Sequence, residues 1–154
     1  MNWDAVGAIG EVCGALVVVI TLLYLAKQVA QTNQIAKTAV ARELQHQYAE
    51  VYAMLATNNE IQELVTRLRD PDYVAQSARE EEQIEGFCLM LLGLWLSTGI
   101  AFERGQIDEK QYRTYRADVG VKFGKWPGLK PYAMRISGQY PDTASFDIFK
   151  DISG

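Results

Sequence analysis

Glu11 is the only charged side chain in an otherwise apolar run over residues 5–26, and it is the first place where chemistry could reside. A carboxylate in that setting could attract a cation or pair with a polar group on a facing helix. Leaving it in lipid costs on the order of 2.5–3.5 kcal/mol on insertion scales. The only histidine is His46, with Glu43 and Glu50 one helical turn to either side. A metal or a general base would need more partners than that pair supplies, so a surface position is expected. Cys13 and Cys88 lie far apart, each inside an apolar run, which is neither a disulfide framework nor a zinc pattern. Glu80, Glu81, Glu82 and Glu85 crowd the start of a helix. One turn cannot wrap a calcium ion, so capping and solvation are the expected roles. No Walker loop, dinucleotide fingerprint or nucleophile elbow occurs in the chain. No catalytic residue, cofactor site or metal site is therefore expected.

These residues must be positioned by a chain of 154 residues, 49% hydrophobic and 22% charged, with a formal net charge of -4. That length suits one core, and the composition excludes disorder. The acidic balance argues against nucleic acid as a partner, because phosphate binding needs a basic face.

Residues 5–26 would span ~33 Å as a helix, which matches a hydrocarbon core of ~30 Å. A secretory signal should begin with basic residues, but Met1-Asn2-Trp3-Asp4 has none. A buried core helix usually keeps a polar stripe wider than one Glu and one Thr. The expectation is a transmembrane helix. Lys27, Lys37 and Arg42 follow it, so the carboxyl side should stay in the cytoplasm and a three- or four-residue tail should lie outside. Trp3 and Tyr24 stand near the two ends, at headgroup level.

At about 100° per residue, Gly7, Gly10, Glu11, Gly14, Val18 and Thr21 share one side of this helix. Ile9, Val12, Leu16, Val19, Ile20 and Leu23 fill the opposite side and suit lipid. Gly10 and Gly14 form a G-x-x-x-G pair, which lets helix backbones approach. Self-association along that strip is expected. Glu11 then either lines a shared polar seam or pore, or reaches headgroup water from ~9 Å inside the outer edge.

Beyond Ala26 no helix breaker appears before Asn58-Asn59. Leu25, Val29, Ala36, Val40, Leu44, Tyr48, Val51 and Leu55 recur at helical steps, so the membrane helix should run on unbroken and carry an apolar stripe. Such a stripe needs cover from later helices, from neighbouring copies, or from both. Asn58 or Asn59 can cap a short helix bearing Ile61, Leu64, Val65 and Leu68, which Asp70-Pro71-Asp72 ends. Ser77 and Glu80 have capping-box spacing and open a helix ending near Gly105. Its residues 86–102 carry no charge and could form a second span. Nine of the fifteen Lys and Arg follow them, however, and export of that segment would oppose the positive-inside bias. A buried core helix is expected instead. Asp108 with Gln111 should cap a helix carrying Tyr112, Tyr115, Val119 and Phe123. Trp126-Pro127-Gly128 marks a turn, Pro127 or Pro131 a short helix through Ile136, and Pro141-Asp142 a last amphipathic segment. With no alternating strand pattern, the fold class is all-α: an N-terminal transmembrane segment, 1–26, and a cytoplasmic helical domain, 27–154. Arg113, Arg116, Lys122, Lys125 and Lys130 should form a solvated face, with anionic lipid heads as the alternative contact.

The opening Met1-Asn2-Trp3-Asp4-Ala5-Val6-Gly7-Ala8-Ile9-Gly10-Glu11, with Tyr24-Leu25-Ala26-x-Gln28 after it, resembles an uncharacterised bacterial family of short single-pass membrane proteins. Looser likeness extends to Ala101-Phe102-x-x-Gly105 and Trp126-Pro127-Gly128. The resemblance implies one membrane helix followed by a helical region, and it brings no function with it.

Together these readings anticipate a non-enzymatic bacterial inner-membrane protein. Its partners would be the lipid bilayer and further copies of itself, giving a membrane-anchored homo-oligomer with an ion-conducting pore as one outcome. The other reading is a tethered helical adaptor or accessory subunit of a larger membrane complex.

Overall fold

The computed structural model describes the backbone of residues 3–140 and the side chains of Glu11 and of residues 13–140. The last amphipathic segment expected from Pro141-Asp142 lies outside the described residues. Five α-helices and one 3-10 turn account for the described chain, which has no strand. They are α1 (Trp3–Thr57), α2 (Asn59–Arg67), α3 (Ala78–Glu103), α4 (Glu109–Lys125), the 3-10 turn Pro127–Leu129, and α5 (Lys130–Gly138). The protein is all-α, as its periodicities require.

Contacts divide the chain into two units, Met1–Ala39 and Val40–Gly154. The first consists, where described, of α1 alone. Its apolar side chains find no cover there: Leu16, Ile20, Leu23 and Ile35 are 57%, 64%, 67% and 70% exposed. Leu25 and Val29, the first members of the predicted stripe, are exposed as well.

Ala36 is exposed too, and the second unit buries the middle of that stripe and half-covers Val40 and Leu55. Leu44, Tyr48 and Val51 enter a core with Leu64, Leu68, Ile84, Leu91, Trp95, Val119 and Leu129. Two faces of α3 are covered, by α4 and by α5. The Tyr48 ring stacks on Tyr115 at 4.6 Å between centroids, and Trp95 leans on Phe123 at 5.5 Å. These aromatics pack, as their helical spacing implied.

Local signals explain the boundaries. The Asn58 side chain accepts the Ile61 N–H at 3.2 Å and starts α2. Asp108 and Gln111 exchange side-chain and backbone bonds in a full capping box at the start of α4. Past the end of α3, Gly105 takes a left-handed conformation with φ of 63°. There the Gly105 N–H donates to Phe102 and the Gln106 N–H to Ala101, each at 2.8 Å, which is a Schellman closure. A Cβ at that φ would be strained, so glycine is required.

One junction depends on a second glycine. The Gly128 N–H donates to the Leu68 carbonyl at 2.9 Å, joining the 3-10 turn to the end of α2. A Cβ on Gly128 would overlap the Asp70 carbonyl oxygen and lie 3.1 Å from that of Leu68. The turn therefore docks backbone to backbone.

Both α1 and α3 are long and apolar enough to cross a membrane. Their surroundings differ. None of the most apolar window of α1 is buried, whereas 56% of that of α3 is. Residues 86–102 thus serve as the core helix of the second unit.

Candidate functional site

Two places combine polar chemistry with unusual surroundings: the small-residue face of α1 and a cation–aromatic cluster in the second unit. On α1, the helix brings Gly7, Gly10, Glu11, Gly14, Val18 and Thr21 onto one side, within roughly a third of the circumference. The surroundings of Gly7 and Gly10 lie outside the described residues. Glu11 is exposed, Val18 is 57% exposed, and a Cβ on Gly14 would meet nothing within 4 Å. The Thr21 hydroxyl donates to the Val17 carbonyl at 2.8 Å, one turn back on its own helix. That donor is satisfied without a neighbour, so a polar seam would rest mainly on Glu11.

The second cluster is centred on Asp118 and Lys122, one turn apart on α4. The Asp118 carboxylate accepts from the Tyr52 hydroxyl at 3.0 Å and from the Trp95 indole at 3.4 Å. The Lys122 ammonium stands 3.8 Å from it. It also lies 4.3 Å from the Tyr52 ring centroid and 5.1 Å from that of Trp126. Cation–π attraction compensates part of the lost hydration at such distances. Lys122 is only 6% exposed, which corrects the expectation of a solvated basic face at this position. Burial lowers its pKa, and Asp118 opposes that shift. Tyr52 moves up, first through burial and then through the Asp118 charge. The Trp126 indole N–H is buried with no acceptor. The sequence did hold a signal for this pair, the D-x-x-x-K spacing. It could not say that the pair faces inward.

A third group departs from the expected pattern. The Ser77 hydroxyl accepts the Glu80 N–H at 3.2 Å, but the Glu80 carboxylate does not return to complete the box. It accepts instead from the Tyr73 hydroxyl at 2.6 Å and from the Gln76 N–H at 2.7 Å, and it pairs with Arg67. Glu80 is 6% exposed, and Glu81 and Glu85 both hold Arg135 of α5. Three members of the acidic run therefore tie α3 to α2 and α5, where capping and solvation were expected. The Tyr73 hydroxyl, the Gln76 N–H and Arg67 together hold the Glu80 carboxyl below its usual range.

A depressed folded-state pKa adds stability above the ordinary value of ~4.3, and that stability is lost as pH falls through the folded value. Acid unfolding of Glu80→Gln should accordingly be flatter below about pH 4 than that of the parent. Superimposable pH–midpoint curves for the two proteins would contradict the hydrogen-bonded ion pair of Glu80.

The remaining reactive groups are isolated. His46 is exposed and lies 3.6 Å from Glu50 on the same helix surface. Cys88 is 1% exposed, and burial, helped by the Glu85 charge, pushes its thiol up to about 12. It stays protonated at neutral pH and is a poor nucleophile. Among the described residues, no three His, Cys, Asp or Glu side chains converge to hold a metal ion.

Fold and surface together define an all-α protein with a long N-terminal helix, a helical bundle, and two helices able by length and composition to cross a membrane. No protein-family model, curated protein or solved structure matches the chain.

Proposed function

We propose that this is a non-enzymatic, single-pass inner-membrane protein whose copies associate through the Gly7, Gly10 and Gly14 face of α1. One observation carries this reading: the apolar side chains of residues 16–25 are exposed around α1, whereas 56% of the most apolar window of α3 is buried. Exposing that much apolar surface to water is unfavourable by about 25 cal/mol per Å², so it needs lipid or protein around it. Lipid gives helices no hydrophobic drive to associate, and close backbone approach over glycines supplies packing instead. The flanking Lys27, Lys37 and Arg42 keep the carboxyl side in the cytoplasm and the amino terminus outside. The bacterial assignment follows the resemblance of the opening residues.

Gly14 offers a clean test. A Cβ there meets nothing within the chain, so Gly14→Leu should leave helicity and bundle stability unchanged. In mild detergent it should shift the native particle mass from oligomer to monomer. An unchanged mass would count against association along this face. The pore outcome rests on Glu11, and ion flux in liposomes that is identical for the parent and Glu11→Gln would remove it.

The adaptor reading draws on a different observation. Leu89, Val121 and Met134 are 45%, 63% and 49% exposed on the second unit. A docked subunit would cover such residues, and it would appear as a stoichiometric foreign chain in the native particle.

A further inference from the structure

The geometry points to a binding cleft for a phosphate-bearing anion in the second unit, a role separate from membrane anchoring and self-association. The cleft has a volume of about 420 Å³ and is lined by Tyr52, Gln62, Arg69, Lys122, Lys125 and Trp126, among others. That size is within the ~300–1,000 Å³ range of small-molecule sites. Every charged residue in its lining is a cation. In a protein of net charge -4, three cations around one hollow run against the average composition.

The bland explanation is that lysines at the end of a helix offset its dipole. Lys122 and Lys125 do lie in the last turn of α4, and Arg69 follows the end of α2. Each helix end supplies roughly half a negative charge, and Asp118 supplies one more behind Lys122. The three cations exceed that sum by about one unit. Arg69 and Lys125 make no ion pair among the described residues, so neither charge is neutralised by a carboxylate. Lys125 stands over the Trp126 ring at 5.7 Å, at the wall of the same cleft. Unpaired guanidinium and ammonium groups, with aromatic and aliphatic walls from Tyr52, Leu55 and Val65, suit a phosphate carrying a small organic group.

The phosphate has two possible sources, a lipid headgroup or a free anion, and the assay separates them. The full chain in neutral detergent would be titrated with inorganic phosphate and glycerol phosphate. In parallel it would be titrated with micelles doped with phosphatidylglycerol against phosphatidylcholine. Arg69→Gln and Lys125→Gln are the informative variants, because both side chains are exposed and neither makes an ion pair among the described residues. Lys122 is left intact because it is buried and paired. Each loss of a charge-assisted contact should weaken binding about tenfold. Lys110→Gln, an exposed charge at the opposite end of α4, should leave affinity within twofold. Binding of phosphatidylglycerol alone, lost in the two variants, supports a headgroup site, and binding of free phosphate, lost in the same way, supports a soluble ligand. No binding in either arm, or an equal loss in Lys110→Gln, overturns the cleft as a specific site.

Discussion

Replacing Gly128 with alanine should destabilise the helical bundle by about 2–4 kcal/mol, from overpacking together with a weakened hydrogen bond. The added methyl meets a backbone carbonyl, that of Asp70, and not the end of a flexible side chain. Relief requires the 3-10 turn to move away from the end of α2, which stretches the Gly128–Leu68 hydrogen bond. The turn cannot move far. It is flanked by Trp126 and Leu129, which are 2% and 0% exposed in the core. Gly124→Ala is the matched control, because a Cβ there meets nothing and the position is inside α4. It should be neutral, or stabilising by up to ~1 kcal/mol through helix propensity. Denaturant unfolding in detergent, followed by tryptophan fluorescence, measures both. Equal midpoints for the two variants would rule out the backbone contact.

The second large effect concerns the membrane. Lysine at the centre of a transmembrane helix costs on the order of 2.5–3.5 kcal/mol. Leu16 and Val19 lie near the middle of the apolar run, and both are exposed. The double variant Leu16→Lys, Val19→Lys should therefore lose more insertion free energy than either single lysine, up to roughly 5–7 kcal/mol, since neighbouring sites one turn apart need not add in full. Most of the protein should then leave the membrane fraction on alkaline carbonate extraction. Leu91→Lys makes the comparison that separates α1 from α3. Leu91 is 1% exposed, so an unpaired ammonium there should unfold the bundle while leaving the chain anchored. Retention of the double α1 variant in carbonate, with release of Leu91→Lys, would transfer the membrane role to α3.

These two experiments touch opposite kinds of information. Helix ends were legible in the sequence because caps are local. Asn58 bonds a residue three positions away, Asp108 and Gln111 bond each other, and Gly105 closes α3 within one turn. The unbroken course of α1 to Thr57 followed from the absence of a breaker before Asn58-Asn59. The stripe Leu44, Tyr48 and Val51 was likewise evident from its spacing. Among the proposed interface residues, shared helical phase was the legible part, since it depends only on residues per turn.

Partners distant in sequence were not legible, and they decide the rest. Glu80 has capping-box spacing, yet Arg67 and Tyr73 reach its carboxylate from preceding segments and draw it into an ion pair whose carboxylate is buried and whose guanidinium is half exposed. Lys122 belongs by composition to a basic surface, but Tyr52 of α1 closes over its ammonium, beside the near neighbours Asp118 and Trp126.

The sequence by itself determined that the chain is helical, where most helices begin and end, and that two stretches are apolar enough for a membrane. Only the tertiary structure decided that one of those stretches is a core helix, that Gly128 is a point of backbone contact, and that cations gather around a cleft. Periodicity and capping act over a few residues and are written in residue order. Burial is a property of what packs alongside, and helices α3, α4 and α5 become neighbours only when the chain folds.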